Sequence, residues 1–517
     1  MEKGRRLLLP LVLLAFSCTV QKDVSDMWPY GVRYEIFVLS FADSNGDGKG
    51  DIKGLTEKLS YLQDFGIKAV WLMPVMNSPS YHKYDVTDYK SIHPDYGTIE
   101  EFKTFVSEAH RRDIKVVIDL ILNHTSSEHP WFLSAKTGSE SPYRDYYVWA
   151  KKDSVRAQIS KRTTSFDSDN ITQWHAANGD TTAQHYYGFF WGGMPDLNFD
   201  NIKVRREFLD IGKFWLKDIG VDGFRFDAAK HIFTTDRAPE NHAFWQEFRR
   251  ELEAIKPDVY LVGEVWSDAQ EVAPYLSGIP SLFNFDMGYA ITNTVNAGKD
   301  TMKLISKYKE ITDFYKSVTP SYMDATFLKN HDQNRILTEL GGNRDKMRVA
   351  AGLLLTLPGT PFLYYGEEIG MVGAKPDEYI REPFIWDTKG KDPAQTSWEQ
   401  ARYSSDTSVI SLEQQKKDPL SLYNCYRKLI HNRNSSEALT RGDLAPSPID
   451  IREVVSFKRI SEKEVMLVLH NVSDVEVTIP MVGELTGFDQ IVFELPGNAK
   501  LTGGEMKLPA YSTVILN

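Results

Sequence analysis

Short apolar runs, each followed by a polar stretch and then by a segment with helical spacing of its apolar residues, recur from residue 35 to residue 365. Runs of four to eight apolar residues read as buried strands, and their alternation with amphipathic helices is the pattern of βα units around a parallel sheet. The expected strands are 35–41, 68–73, 115–122, 223–227, 259–265, 281–285, 325–330 and 361–365, with helices such as 100–111, 204–218 and 346–357 between them. Eight strands so arranged predict an α/β fold, a (β/α)8 TIM barrel, whose chemistry emerges at the C-terminal ends of the strands.

One connection, 123–201, is too long for a simple βα loop and is rich in polar residues, Trp and Tyr, so it is expected to be a small inserted domain. From about residue 445 the pattern changes to short alternating strands at 454–457, 465–470, 475–479 and 513–516, an antiparallel β-sandwich. The expected organisation is a signal peptide at 1–18, a tether at 19–26, the barrel at 27–123 and 202–440, the insertion at 124–201 and the β domain at 441–517.

Composition changes this picture little. The chain has 517 residues, 42% hydrophobic and 25% charged, enough for a large core and more than one domain. A net charge of -11, with no basic patch carrying interleaved aromatics, argues against nucleic acid as a partner. The N-terminus is more informative: residues 1–6 are basic, 7–16 are apolar but too few to span a bilayer, and Ser17-Cys18 follows. The segment 15–18 resembles a bacterial lipobox, so export with a lipid anchor at Cys18 is expected, on the outer membrane, with simple secretion as the alternative. Cys425 is the other cysteine, and acylation of Cys18 would leave it no internal disulfide partner. A monomer is expected.

Several of the predicted strands end on acids. Arg225 and Asp227 are two apart on an extended strand and share a face, and the guanidinium keeps the carboxylate ionised, which suits a nucleophile. Glu264 follows the apolar segment 259–263 and precedes Trp266, a setting that raises a carboxyl pKa and suits a general acid. Asp332, between His331 and Arg335, supplies a third carboxylate. A nucleophilic and a protonated carboxyl about 5 to 5.5 Å apart make a retaining glycosidase, and a wider spacing an inverting one.

The segments Asp119-Leu-Ile-Leu-Asn-His124, Gly223-Phe-Arg-Phe-Asp227, Gly263-Glu264-Val-Trp266 and Asn330-His331-Asp332 resemble, in order, the four signature regions of the α-amylase family of glycoside hydrolases, and Met194-Pro-Asp-Leu-Asn198 resembles its fifth. The resemblance implies Asp227 as nucleophile, Glu264 as acid/base and Asp332 as the group that distorts and holds the sugar. Arg225, His124, His331 and Arg335 would line the same subsite, joined by Tyr84 as a stacking ring and by His82. The family commonly has Gly where Lys83 stands, so a different local backbone is expected there. Exo-acting members often carry Asp where this chain has Tyr81, which favours endo action. Ala228 departs from the Val typical of related enzymes that cut α-1,6 bonds, and Lys230-His231 resembles the leaving-side subsite of α-1,4-acting amylases, so starch-like α-glucan is the expected partner and substrate. An α-glucosidase, a neopullulanase or a transglycosidase would use the same residues, and a non-catalytic glucan-binding protein would not need all three acids. Trp191, Tyr186 and Tyr187 are either further sugar platforms or core of the insertion.

Asp43-Ser-Asn45-Gly-Asp47-Gly-Lys49-Gly-Asp51 alternates oxygen-bearing residues with glycines, as calcium loops do, with Lys49 offering its carbonyl. Gly54 replaces the Glu of an EF-hand. The loop is similar to the one after the first barrel strand in the oligo-1,6-glucosidase-like branch of the family, which implies Ca2+ as a bound ion.

Overall fold

The computed structural model describes residues 28–159, 173–177, 184–387, 391–405 and 410–517, so the expected signal peptide, Cys18 and the tether lie outside the described residues. Among the described residues no helix is long and apolar enough to cross a membrane. Parallel strands β1 (Arg33–Ile36), β2 (Ala69–Leu72), β3 (Lys115–Leu120), β4 (Gly223–Phe226), β5 (Tyr260–Gly263) and β6 (Ser281–Leu282) pair in chain order. Residues 325–327, β7, bridge to Phe283 on one side and through Phe327 to Phe362 on the other. β8 (Phe362–Tyr364) pairs with β1, so the ring closes as the predicted (β/α)8 barrel.

The period of two along each strand sorts the side chains. Tyr34, Val70, Ile118, Phe224 and Leu261 face the surrounding helices, while Trp71, Val117, Val262, Phe327 and Phe362 fill the barrel. Register then extends the inner face upward. Glu35 lies level with Trp71, and Asp119 level with Arg225 and Val262, so these charged residues share the inner face.

Helix α1 (Ile99–His110) starts at a capping box between Thr98 and Glu101 and buries Phe102, Phe105, Val106 and Ala109. α2 (Ile202–Lys213) runs into a π-helical stretch, Phe214–Ile219, so the helix expected at 204–218 is α-helical only in its first part. α3 (Arg344–Thr356) and α4 (Leu422–Ser435) pack on each other beside the C-terminal sheets. The insertion contributes a three-stranded antiparallel sheet, Trp149–Ala150, His185–Tyr187 and Trp174–Ala176, and is stitched to the barrel by bridges His124 to Asp196 and Tyr147 to Leu197.

Two expected strands give way early to helix. The run 35–41 is a strand only to Ile36, and Val38–Phe41 turns into a short helix; Phe37, Val38, Leu39, Ser40 and Phe41 are all buried, and a short stretch buried on every side shows no period to separate the two conformations. At 281–285 the strand stops at Leu282, because the Asn284 side chain accepts from the Met287 N–H and starts a helix at Phe285.

The C-terminal region is two antiparallel sheets, one of five strands and one of three. Leu467, Leu469, Val514 and Leu516 face Ile479, Met506 and Leu508 of the smaller sheet, whereas Val468 and Ile515, of opposite parity, join the barrel's core. The sequence pattern did not single out strands Asp443–Pro446, Ile491–Leu495, Lys500–Thr502 and Glu505–Leu508, which are short and mostly part-exposed.

The fully buried Arg433 of α4 donates to the carbonyls of Leu355, Leu357 and Gly359, in the turn that leads from α3 to β8. R433M should destabilise the protein by about 3 kcal/mol, since three buried carbonyls lose a charged donor. Thermal unfolding at a fixed scan rate reads this as a fall in apparent Tm, and an unchanged Tm would contradict the assignment.

Candidate active site

Arg225, fully buried in β4, is the centre of the cluster at the C-terminal mouth of the barrel. Its Nη1 donates to Asp119 Oδ1 at 2.9 Å, to Asp119 Oδ2 at 3.1 Å and to Asp227 Oδ1 at 2.7 Å, while Nη2 donates to Glu264 Oε2. The side chains of Asp227, Glu264 and Asp332 are 15%, 17% and 32% exposed, against 0% for Asp119 and Arg225, so the three acids face the cleft and their support is shut away from water.

Burial pushes the Glu264 carboxyl up to about 7; Arg225 opposes this, and the neighbouring Asp332 and Asp227 reinforce it. Asp119 is likewise raised by burial to about 7 against the pull of Arg225. Asp332 behaves in the opposite sense. Its burial is outweighed by His331 and by the buried Arg381, whose Nη2 lies 3.0 Å from Asp332 Oδ1, and its pKa falls well below the usual carboxylate range.

His331 donates from Nδ1 to Glu35 Oε1 at 2.5 Å and from Nε2 to the Tyr84 hydroxyl at 2.6 Å, with Asp332 Oδ2 3.1 Å away. Burial alone would lower its pKa, but Asp332 and Glu35 lift it to about 10, so it is an imidazolium at neutral pH. Tyr84 stacks on that ring, with centroids 5.6 Å apart and planes at 13°, and its hydroxyl donates to Asp119 Oδ2 at 3.3 Å. His124 is buried and lowered in pKa by that burial; its Nε2 donates to the Tyr84 carbonyl at 3.2 Å. His82, lowered to about 4 by burial, accepts the Tyr84 N–H at 3.1 Å.

Lys230 and His231 lie just past the strand. Lys230 Nζ reaches the Trp266 carbonyl at 3.4 Å, and His231 stacks on Phe189 of the insertion at 4.0 Å. Burial lowers His231 to about 3, so it is neutral. Arg335 does not join the cluster: its guanidinium donates to the Tyr365 carbonyl and packs over Tyr364 and Tyr365 in the barrel wall. Of the insertion's aromatics, Tyr186 is buried against Phe132 and Trp149, whereas Trp191 is 54% exposed.

Sequence reasoning gave no role to Asp119, Glu35 or Arg381. A charged residue at inner-face parity in an apolar strand was the available signal for the first two. Arg381 holds Asp332, the His331 carbonyl and the Tyr81 hydroxyl from a segment with no regular period, and carried no such signal. Lys83 has φ +65°, so the chain takes the left-handed conformation that favours glycine, at a cost of about 1–2 kcal/mol for an L side chain.

The loop 43–51 is braced from within. Asp43 accepts from the N–H groups of Asn45, Gly46 and Gly48; Asn45 accepts from Asp47, Asp47 from Lys49, and Asp51 from Ser44 and Gly54. Gly46 and Gly48 supply the positive φ that these turns require. Among the described residues no three His, Cys, Asp or Glu side chains converge on a metal position. The donors of Asp43, Asn45, Asp47, Asp51 and the Lys49 carbonyl are all oxygens, a set that fits a hard divalent cation.

Residues 35–442 match the family described as Alpha amylase, catalytic domain, and residues 454–515 match Alpha-amylase SusG C-terminal domain. The chain belongs to the α-amylase family of glycoside hydrolases. It is 43% identical to "Alpha-amylase 3" of Dictyoglomus thermophilum over 99% of this chain and 98% of that one. It is also 35% identical to a "4-alpha-glucanotransferase" of Thermotoga maritima, over 86% of this chain and 96% of that one. A crystal structure of an alpha-amylase from H. orenii superposes with a TM-score of 0.85 at 44% identity, covering 94% and 99% of the two chains.

The direction of the Glu264 shift yields a titration. With the folded pKa near 7, the carboxyl is protonated below neutrality and loses its proton as pH rises through that value. Difference infrared spectroscopy against E264Q should show this step. In D332N, where one neighbouring anion is gone, the step should move to lower pH; a step near pH 4 in the wild type would contradict the environment described.

Proposed function

We propose that the protein is a retaining, endo-acting hydrolase of α-1,4 bonds in starch, glycogen or maltooligosaccharides. The observation that carries the reading is the sharing of one buried guanidinium by Asp227 and Glu264, one at each terminal nitrogen, which keeps the two carboxyls close. A short separation is what double displacement needs, about 5–5.5 Å. Glu264 protonates the glycosidic oxygen as the bond from C1 breaks, and Asp227, its Oδ1 held by Arg225, attacks C1 with Oδ2. Water then attacks C1, passes a proton to the Glu264 carboxylate and releases Asp227. Asp332, kept anionic by His331 and Arg381, grips ring hydroxyls, and the charged His331 and Arg225 balance the acids around an oxocarbenium-like transition state.

Tyr81, anchored by Arg381 Nη1 at 3.3 Å and stacked on Trp398, leaves no carboxylate at that position to cap a chain end, which supports endo action. Lys230 and His231 with the exposed Trp266 and Trp191 offer a leaving-side surface for further glucose units. The glucanotransferase relative supports a second outcome for the same intermediate, transfer to a sugar acceptor in place of water. Asp43, Asn45, Asp47, Asp51 and the Lys49 carbonyl would hold Ca2+, which supplies charge to fix the loop after β1 and takes no part in bond cleavage.

D227N should lower turnover of soluble starch by at least roughly a thousandfold while the protein stays folded by circular dichroism. The wild type should release mixed maltooligosaccharides with early loss of iodine staining; glucose as the sole early product would overturn endo action. EGTA should lower the apparent Tm, by the equivalent of about 3 kcal/mol when the metal was present at a hundred times its Kd. D43A should be insensitive to the chelator, and a wild type equally insensitive would remove the metal assignment.

A further inference from the structure

The segment 78–85, which delivers Tyr84 to the cleft, is held by groups the mechanism above does not use. Lys83 is 3% exposed, and its Nζ donates to the Ser80 carbonyl at 2.7 Å while its own N–H donates to Ser80 Oγ at 3.2 Å. Both ends of the residue are therefore tied to Ser80. Asp85 accepts from the hydroxyls of Ser78 and Ser80, closing the turn from the other side. Across the turn, Lys83 Nζ stands 5.6 Å from the Tyr96 ring, and Asp95 adds its field. Asp95 is itself paired with Lys49 of the oxygen-rich loop at 2.8 Å.

A buried ammonium with one carbonyl partner, on a residue held at positive φ, is an expensive choice where glycine would take the same conformation freely. Something must be gained from the amine. The neighbouring residue supplies the reason, because every polar atom of Tyr84 is committed: N–H to His82, carbonyl to His124, hydroxyl to His331 and Asp119. A small rotation of this turn would break the contacts that seat the phenol between the two charged groups.

We propose that Lys83 is a positioning residue: its ammonium locks the turn 80–83 so that Tyr84 enters the cleaving subsite already aligned with His331 and Asp119. Asp95, paired near the surface with Lys49 of the loop after β1, contributes only its field to Lys83. The proposal rests on the hydrolase reading above.

The test compares K83G and K83M. Glycine relieves the strained φ and removes the amine, so it is the variant expected to fold; methionine keeps both the side-chain volume and the strain. Both should lower kcat for maltooligosaccharide hydrolysis at least tenfold with KM changed less than threefold, and should weaken a cationic sugar-ring inhibitor by the same factor as kcat/KM. Y84F should make K83G nearly silent, because the lysine acts through that hydroxyl. Wild-type kcat in K83G would overturn the proposal, since backbone conformation alone would then suffice, and so would additive effects of K83G and Y84F. A wild-type protein inactive on every α-glucan would instead remove the hydrolase reading, so the two failures are distinguishable.

Discussion

A single buried guanidinium organises this site. Arg225 has no access to water, and an isolated cation there would be prohibitively costly, so its placement requires carboxyl groups on more than one side. The barrel provides them by register: Asp119 pairs across from it on β3, Asp227 follows two residues on in its own chain, and Glu264 tops β5. The same interaction divides their labour, because Asp119 spends its oxygens on Arg225, Trp71 and Tyr84 inside the barrel, whereas Asp227 and Glu264 keep part of their surface in the cleft.

A second buried cation with carboxylate partners sits across the mouth. His331 is held positive between Glu35 and Asp332, and Arg381 completes the pairing of Asp332. Tyr84 is the link between the halves, with its hydroxyl within reach of His331, Asp119 and, at 3.5 Å, Arg225. The floor of the cleft is thus a continuous polar network with alternating charge, rigid because nearly every member is buried and partnered. Such preorganised dipoles need no rearrangement when positive charge develops on a sugar ring.

Much of this was legible in sequence because a parallel barrel obeys a period of two. The strand 223–227 shows that Arg225 and Asp227 share a face, and the apolar approach to Glu264 foretells its raised pKa. Where the period is absent, so was the information. Residues 37–41 are buried at every position, and a strand was expected where the chain turns helical. Arg335 adjoins Asp332 in sequence, yet a loop has no fixed facing and the side chain turns into the wall. Arg381 is far from any strand pattern and reaches the site through a loop, a contact that only the folded chain reveals. Asp119 and Glu35 were the recoverable omissions, since a charge at inner-face parity in an apolar strand must find a partner.

Specificity lives in the parts that obey no period. The insertion meets the barrel beside His124, through the bridge to Asp196, and returns Phe189 onto His231, so this part of the mouth is shared between strand end and inserted domain. On the opposite side, Tyr81 and Lys83 occupy a strained turn pinned by Arg381 and Ser80. Strain of this kind persists only where surrounding contacts over-determine it, and it gathers here next to the Tyr84 ring at the mouth of the barrel. What the strands do not set is left to loops: the turn 80–83 holds Tyr84 on one side of the mouth, and Trp191 and Trp266 stand exposed in other loops.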